Sequence, residues 1–364
     1  MRKIGSIKTK TTNRNQRLVS LDVFRGVTIA MMIIVNSPGN STPYAWLMHS
    51  RWNGCTLADV VFPFFIVILG ISSVFSLSNL KAMGVSSQRL LGKILKRSGY
   101  IFLMGLLLNA IPHFDLYTLR ILGVLQRIAI CYLFSACLFL TTRIQVQVAL
   151  MLVIILGYGC LMAYTPLSLD GNIVGFLDQL VLSPAHLYTP VFDPEGLLST
   201  IPALGSVLLG NICGVYLISS RTHQQKLRWM SLIGVMLVCL GYLWGYILPI
   251  NKSLWSSSYV LVTGGMALLA FAVLYCLIEV KHWIRWSKPF ALFGRHAMLV
   301  YMLHVIFLKI QALIFVHNKV GAIVNLRLYL TEMLFGNFIP QNAALCYALS
   351  YLFIWFWVIK FSDA

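Results

Sequence analysis

Apolar runs close to 20 residues long recur along the chain, separated by short polar breaks. A run of that length, wound as a helix, crosses about 30 Å of hydrocarbon. The pattern predicts an all-α, polytopic transmembrane bundle of about ten spans. They fall at roughly 18–36, 57–78, 98–112, 120–140, 146–164, 200–218, 229–249, 257–278, 289–316 and 341–359. The third is short, and the ninth is long enough to tilt or break. A basic tail, 1–17, precedes a bundle over 18–360. Two connections are long, 165–199 and 317–340. In the second, Leu326, Leu328, Leu330, Leu334 and Phe335 alternate with polar residues, which suggests an interfacial helix.

Composition supports the same picture. Hydrophobic residues make up 59% of the chain and charged residues 10%, whereas a soluble globule carries about a quarter charged. The net charge of +18 does not point to nucleic acid, because the cations sit in short clusters between apolar runs. Such clusters mark cytoplasmic loops. Arg2, Lys3, Lys8, Lys10, Arg14, Arg17, Lys81, Arg89, Lys93, Lys96, Arg97 and Arg143 fall on one side of the spans, with Arg221, Lys226, Arg228, Lys281, Arg285, Lys288 and Lys360. The other side holds only Arg51, Arg120, Lys252, Lys319 and Arg327. Both termini are therefore expected on the cytoplasmic side, with 36–56, 165–199 and 249–256 outside. The first run has no A-x-A cleavage site and reads as a retained helix. The eight cysteines form no C-x-x-C pair, so neither a disulfide framework nor a metal site is expected.

Candidate chemistry gathers at the outer boundary. The segment from Asn36 to Gly54 holds His49, Asn53, Trp46, Trp52 and Arg51. A histidine there can act as general base or nucleophile towards an acyl group, and an asparagine amide can donate to an oxyanion. The plainer alternative is a wetted interfacial loop. Thr56-Leu-Ala-Asp59 has the spacing of a helix cap, although the Asp59 carboxylate could equally orient His49 or receive an amine. Asp22 and Arg25 are spaced to pair on the first helix. Gln126 and Arg127 lie inside an apolar span, as do Arg295, His296 and His304. Intramembrane ions face the bundle interior and serve either function or a structural partner. Phosphates suit the arginine fork. His296 and His304 are about 12 Å apart along a helix, too far to share a metal. Asp193, Glu195, Lys252, Trp255 and Tyr259 at outer helix ends offer groups for an amino sugar, or caps for the helices that follow. No P-loop, dinucleotide, zincin or lipase motif is present.

Read together, several strings resemble the heparan-α-glucosaminide N-acetyltransferase family and its bacterial relatives, within the multi-helix membrane acyltransferases. They are Arg17-Leu-Val-Ser-Leu-Asp22-Val-Phe-Arg25-Gly26, the Val35-Asn36 end of the first span, and His49-Ser-Arg-Trp52-Asn53-Gly54-Cys-Thr56-Leu-Ala-Asp59. The Arg120–Arg127 stretch, Asp193-Pro-Glu-Gly, Lys252-Ser-Leu-Trp and Gly294-Arg-His-Ala-Met-Leu-Val-Tyr follow in the same order. The resemblance implies acetyl transfer from cytoplasmic acetyl-CoA, a co-substrate, to the amine of a glucosamine unit across the bilayer. It implies catalysis by His49 with help from Asn36, and Asp59, read above as a possible partner of His49, is the third catalytic candidate. Arg127, Gln126, Arg295 and His304 are the candidates for CoA. Trp52, Asn53, Asp193, Glu195, Lys252, Trp255 and Tyr259 are those for the sugar. Lysosomal members carry an additional luminal domain and first helix. This chain starts at the bundle, so a free amino sugar or cell-envelope glycan is the expected acceptor, in a bacterial inner membrane, with a homodimer as a possible assembly. The rival expectation is a transporter of sugars or small metabolites.

Overall fold

A computed structural model describes residues 18–318 and 321–362, so the basic tail 1–17 and Lys319 lie outside the described residues. The described chain is an all-α bundle with one short hairpin. Its helices are α1 (Val19–Asn36), α2 (Leu57–Ala82), α3 (Ser87–Ala110), α4 (Val124–Thr141), α5 (Ile144–Ala163), α6 (Ile173–Leu182) and α7 (Leu197–Ile218). They continue with α8 (His223–Gly245), α9 (Ser257–Tyr275), α10 (Lys288–Arg295), α11 (Ala297–Leu313), α12 (Leu326–Phe335) and α13 (Pro340–Ser362). Strands β1 (Phe315–His317) and β2 (Ile323–Asn325) pair antiparallel between α11 and α12.

Eight of the described helices are long and apolar enough to cross a membrane, and α10 with α11 make a ninth if counted as one span. That is fewer than the ten expected. The difference is α3, which is 24 residues long. It begins well before the expected 98, because its first turns carry Arg89, Lys93, Lys96 and Arg97. Charge disqualifies a stretch as apolar without preventing it from being helical. The ninth span does break: its two helices meet at 73° beside His296. Helix α4 starts later than expected, at Val124, leaving Arg120 on a non-helical stretch. The long outer connection contains α6, which the sequence reading did not place, while a helix does form over Leu326–Phe335.

Burial sorts the spans into centre and periphery. About 72% of the α2 window is buried, against 28% for α5 and 17% for α8, whose apolar faces meet lipid. Close backbone approach holds the centre. A Cβ on Gly70 would lie 2.2 Å from the Val207 carbonyl oxygen, and one on Gly26 only 1.7 Å from that of Phe290. Phe24 packs between Phe64 and Phe271, with ring centroids 5.6 and 5.4 Å apart. Helix α2 is thus gripped on several sides. It also carries the site at its N-terminal end.

Candidate active site

The three segments 36–56, 165–199 and 249–256 converge on the first turn of α2. The Gly54 N–H donates to the Ile250 carbonyl (2.7 Å), and the Asn251 amide donates to Asn53 Oδ1 (3.1 Å). Trp52 donates its indole N–H to the Leu167 carbonyl (2.7 Å) and sets its ring edge-on to Phe192. The loop carrying His49 is therefore fastened both to 165–199 and to 249–256.

Asp59 is the organising group. Its carboxylate is fully buried. Oδ2 accepts from the Ser50 N–H (3.0 Å), the Thr56 N–H (3.1 Å) and the Thr56 hydroxyl (3.0 Å). The Thr56 bonds are the acidic half of a capping box at the start of α2. Oδ1 lies 2.8 Å from His49 Nδ1 and 3.5 Å from Lys252 Nζ. The Tyr259 hydroxyl donates to the Asp59 main-chain carbonyl (2.6 Å). One carboxylate therefore caps the helix and orients the histidine. Both readings of Asp59 apply at once, through different oxygens. An ionised carboxylate only accepts, so Nδ1 of His49 is assigned the proton and Nε2 carries the lone pair, which the Lys252 ammonium faces at 3.5 Å.

Lys252 Nζ is 3.0 Å from His49 Nδ1 and 3.5 Å from Nε2. Burial lowers its pKa below the ordinary lysine value, and the charges of Asp59 and Glu195 pull it back up. Cys55, beside the cluster, is pushed up to about 12 by burial and then by Asp59. Its thiol stays protonated at neutral pH and does not compete as a nucleophile.

His49, Lys252, Asn36 and Glu195 stand at one end of a cavity of about 540 Å³. Met32, Phe62, Phe65, Leu125, Ile128 and Tyr301 line its middle. Arg25, Ser72, Ser76, Arg97 and Arg295 stand at the other end. From Ala58 to Ser76, both on the lining, α2 rises about 27 Å, close to the hydrocarbon thickness. Exposed residues occur at both ends: Asn36 and His49 at one, Ser76, Arg97 and Arg295 at the other. Arg25 is held by Asp22 (3.2 Å), the Gly294 carbonyl (3.0 Å) and the Ser72 hydroxyl (2.7 Å).

Some expected site residues lie elsewhere. Arg127 is buried behind the lining, with its guanidinium 4.9 Å above the Trp255 ring and bonds to Ser199 and the Gly196 carbonyl. Trp255 is 1% exposed and Tyr259 0%, so neither offers a ring face to a sugar in this structure. Gln126 abuts Gly105 and Gly123 beside a separate cavity of about 60 Å³. His304 is buried, with Nδ1 on the Val300 carbonyl. Asp193 is fully buried and gripped by Arg120 through two bonds (2.8 and 2.6 Å). The same guanidinium reaches Glu195 (2.6 Å). Arg25 and Arg97 are the lining cations that sequence reasoning missed. It read the first as half of a helix pair and the second as a topogenic charge. The i,i+3 pairing of Arg25 inside a span was the available signal.

Residues 17–248 match the family model described as "Heparan-alpha-glucosaminide N-acetyltransferase, catalytic". The chain is 32% identical to the human heparan-alpha-glucosaminide N-acetyltransferase over 358 residues, 80% of this chain and 53% of the human one. It is 30% identical to the mouse enzyme over 365 residues, 82% of this chain and 54% of the relative. The bundle is thus that of a membrane-embedded acyltransferase family. The chain belongs to the heparan-alpha-glucosaminide N-acetyltransferase catalytic family. It spans about half the length of the curated relatives it matches.

Proposed function

We propose that this protein transfers an acetyl group from cytoplasmic acetyl-CoA to the amine of a glucosamine-type sugar or glycan on the other side of its membrane, taken here as a bacterial inner membrane. The observation that carries the reading is the cavity, which joins an arginine-lined inner end to an Asp59-oriented histidine about 27 Å away along α2. The nucleotide and pyrophosphate of CoA suit Arg25, Arg97 and Arg295, since guanidinium forks match phosphate oxygens. The apolar middle suits the pantetheine arm. The thioester then reaches His49 from within.

At His49 two routes need the same tautomer. Nε2 can attack the thioester carbonyl, forming a carbon–nitrogen bond while the carbon–sulfur bond breaks and CoA leaves as thiolate. The sugar amine then takes the acetyl group and gives up a proton. Alternatively, Nε2 takes that proton as the amine attacks the thioester directly. Asn36 at the cavity mouth is the proposed amide donor to the oxyanion, and Glu195 the carboxylate that receives the sugar ammonium.

Incubating the purified protein with labelled acetyl-CoA and glucosamine tests this. His49→Ala should abolish transfer while CoA still binds, and Asn36→Ala should lower turnover by about 10²-fold, as for one oxyanion donor. Label retained on the wild type but not on His49→Ala, without acceptor, identifies an acetyl-imidazole. Near-normal turnover of His49→Ala would remove the reading and favour a transporter.

A further inference from the structure

The reaction just proposed develops negative charge on the acetyl oxygen, and the donor best placed to meet it is not the asparagine. Among the described residues, Lys252 is the one whose side chain reaches Nε2 of His49, at 3.5 Å. An acetyl carbon bonded to Nε2 carries its oxygen into the shell around that nitrogen, where Nζ already stands. We propose that the Lys252 ammonium is the principal oxyanion donor of the transfer, stabilising the tetrahedral intermediate formed on Nε2 of His49. This rests on the acyl-transfer reading above and adds to it a catalytic residue.

The donor is fixed before the reaction begins. Asn251 is 1% exposed and closes the turn: its Oδ1 accepts from the Leu254 N–H (2.8 Å), and its N–H donates to the Ser256 hydroxyl (3.0 Å). The Trp255 N–H bonds back to the Lys252 carbonyl (3.0 Å). That backbone has no freedom to swing the lysine away, and Asp59 Oδ1 anchors the ammonium itself at 3.5 Å. A charged donor held in place by buried partners gives large stabilisation without reorganising during the reaction. Asn36, in contrast, ends α1 and is exposed.

The carbonyl oxygen becomes O⁻ as the carbon–nitrogen bond to Nε2 forms, and again as the sugar amine attacks the acetyl-imidazole. It returns to a carbonyl as the bond to sulfur, or later to Nε2, breaks. Lys252 donates a hydrogen bond throughout and keeps its proton, so no oxidant or further reactant is needed.

The groups facing Nζ are His49 and Cys55 from the loop before α2, Asp59 from α2, and Glu195 from the segment leading into α7. Burial outweighs the two carboxylates, so the ammonium loses its proton at lower pH than an ordinary lysine. Turnover should therefore fall on the alkaline side as the donor is neutralised. Arginine keeps its charge there.

The test uses the full chain, purified in nanodiscs, with acetyl-CoA and glucosamine, measured from about pH 6 to pH 10. Lys252→Met should lower kcat by about 10²-fold with little change in the KM for acetyl-CoA. Lys252→Arg should recover much of kcat and lose the alkaline fall. Wild-type kcat in Lys252→Met, or an unchanged alkaline limb in Lys252→Arg, overturns the assignment. If Lys252→Met does not fold, the comparison of pH profiles between wild type and Lys252→Arg decides alone. An inactive His49→Ala beside a fully active Lys252→Met sinks this inference only, whereas an active His49→Ala sinks the acyl-transfer reading.

Discussion

Single residues here serve two masters. Asp59 closes the first turn of α2 with one oxygen and orients His49 with the other, so the sequence signature of a cap and that of a catalytic partner coincide. Spacing alone could name either role but not both. From its own neighbourhood His49 could be a catalytic group or a wetted loop histidine, and it was the family resemblance that singled it out. Lys252 was legible as a group for an amino sugar or as part of a helix cap, not as a partner of His49. Its approach to His49 spans about 200 positions and needed the fold. Asp178, on α6, offers a residue-scale check. Burial raises its carboxyl to about 6, with Asp193's charge adding to the effect, while the Leu197 N–H and Arg127 oppose it. The folded state then holds this proton more tightly than the unfolded chain. Its stabilising contribution is full below the ordinary value of 3.8 and disappears as pH rises through about 6. Asp178→Asn keeps an acceptor for the Leu197 N–H and does not ionise. Thermal melts of the wild type between about pH 4 and pH 7 should show a loss of stability that the variant lacks. Parallel curves for the two proteins would contradict it.

At the scale of elements, hydropathy located most of the spans, because lipid-facing helices cannot hide charge. It misjudged those that serve the interior. Helix α3 brings Arg97 to the cavity by extending a basic stretch, and α10 ends where α11 begins so that Gly294 can press on α1. A Cβ at Gly294 would lie 1.8 Å from the Asp22 carbonyl oxygen. The small residue permits the crossing that also gives Arg25 its bond to the Gly294 carbonyl. With α3 and the broken α10–α11 pair each counted as one pass, the chain crosses an even number of times, in keeping with both termini on one side. From the charge bias we propose that this side is the cytoplasm. A reporter active only in the cytoplasm should work when fused after residue 364 and fail when inserted near residue 185. The reverse pattern would invert the whole assignment of inner and outer ends.

Across the whole molecule, the cavity separates two kinds of charge: arginines at one end, a histidine–lysine–carboxylate cluster at the other. Replacing Arg25, Arg97 and Arg295 together by Gln should weaken CoA binding at least tenfold, roughly the loss of one good charge-assisted bond. Arg127→Gln should leave binding little changed, because Arg127 sits behind the lining on Trp255. Isothermal titration in detergent separates the two cases, and equal losses would return Arg127 to the site. Of the three arginines at this end, Arg295 was read in advance as a candidate for CoA, whereas Arg25 on α1 and Arg97 on α3 each had an ordinary explanation in its own neighbourhood.

Under the proposed function, a chamber with a mouth in each of two compartments would obey two separate balances of mass. Spent CoA would accumulate on one side and acetylated sugar on the other, so neither pool would dilute or buffer the other. The enzyme would slow when the cytoplasmic ratio of CoA to acetyl-CoA rises, however quickly the sugar product is cleared across the membrane. Acetylation outside the cell would thereby follow the acetyl supply of the metabolism within, with no carrier having to move the acetyl donor itself.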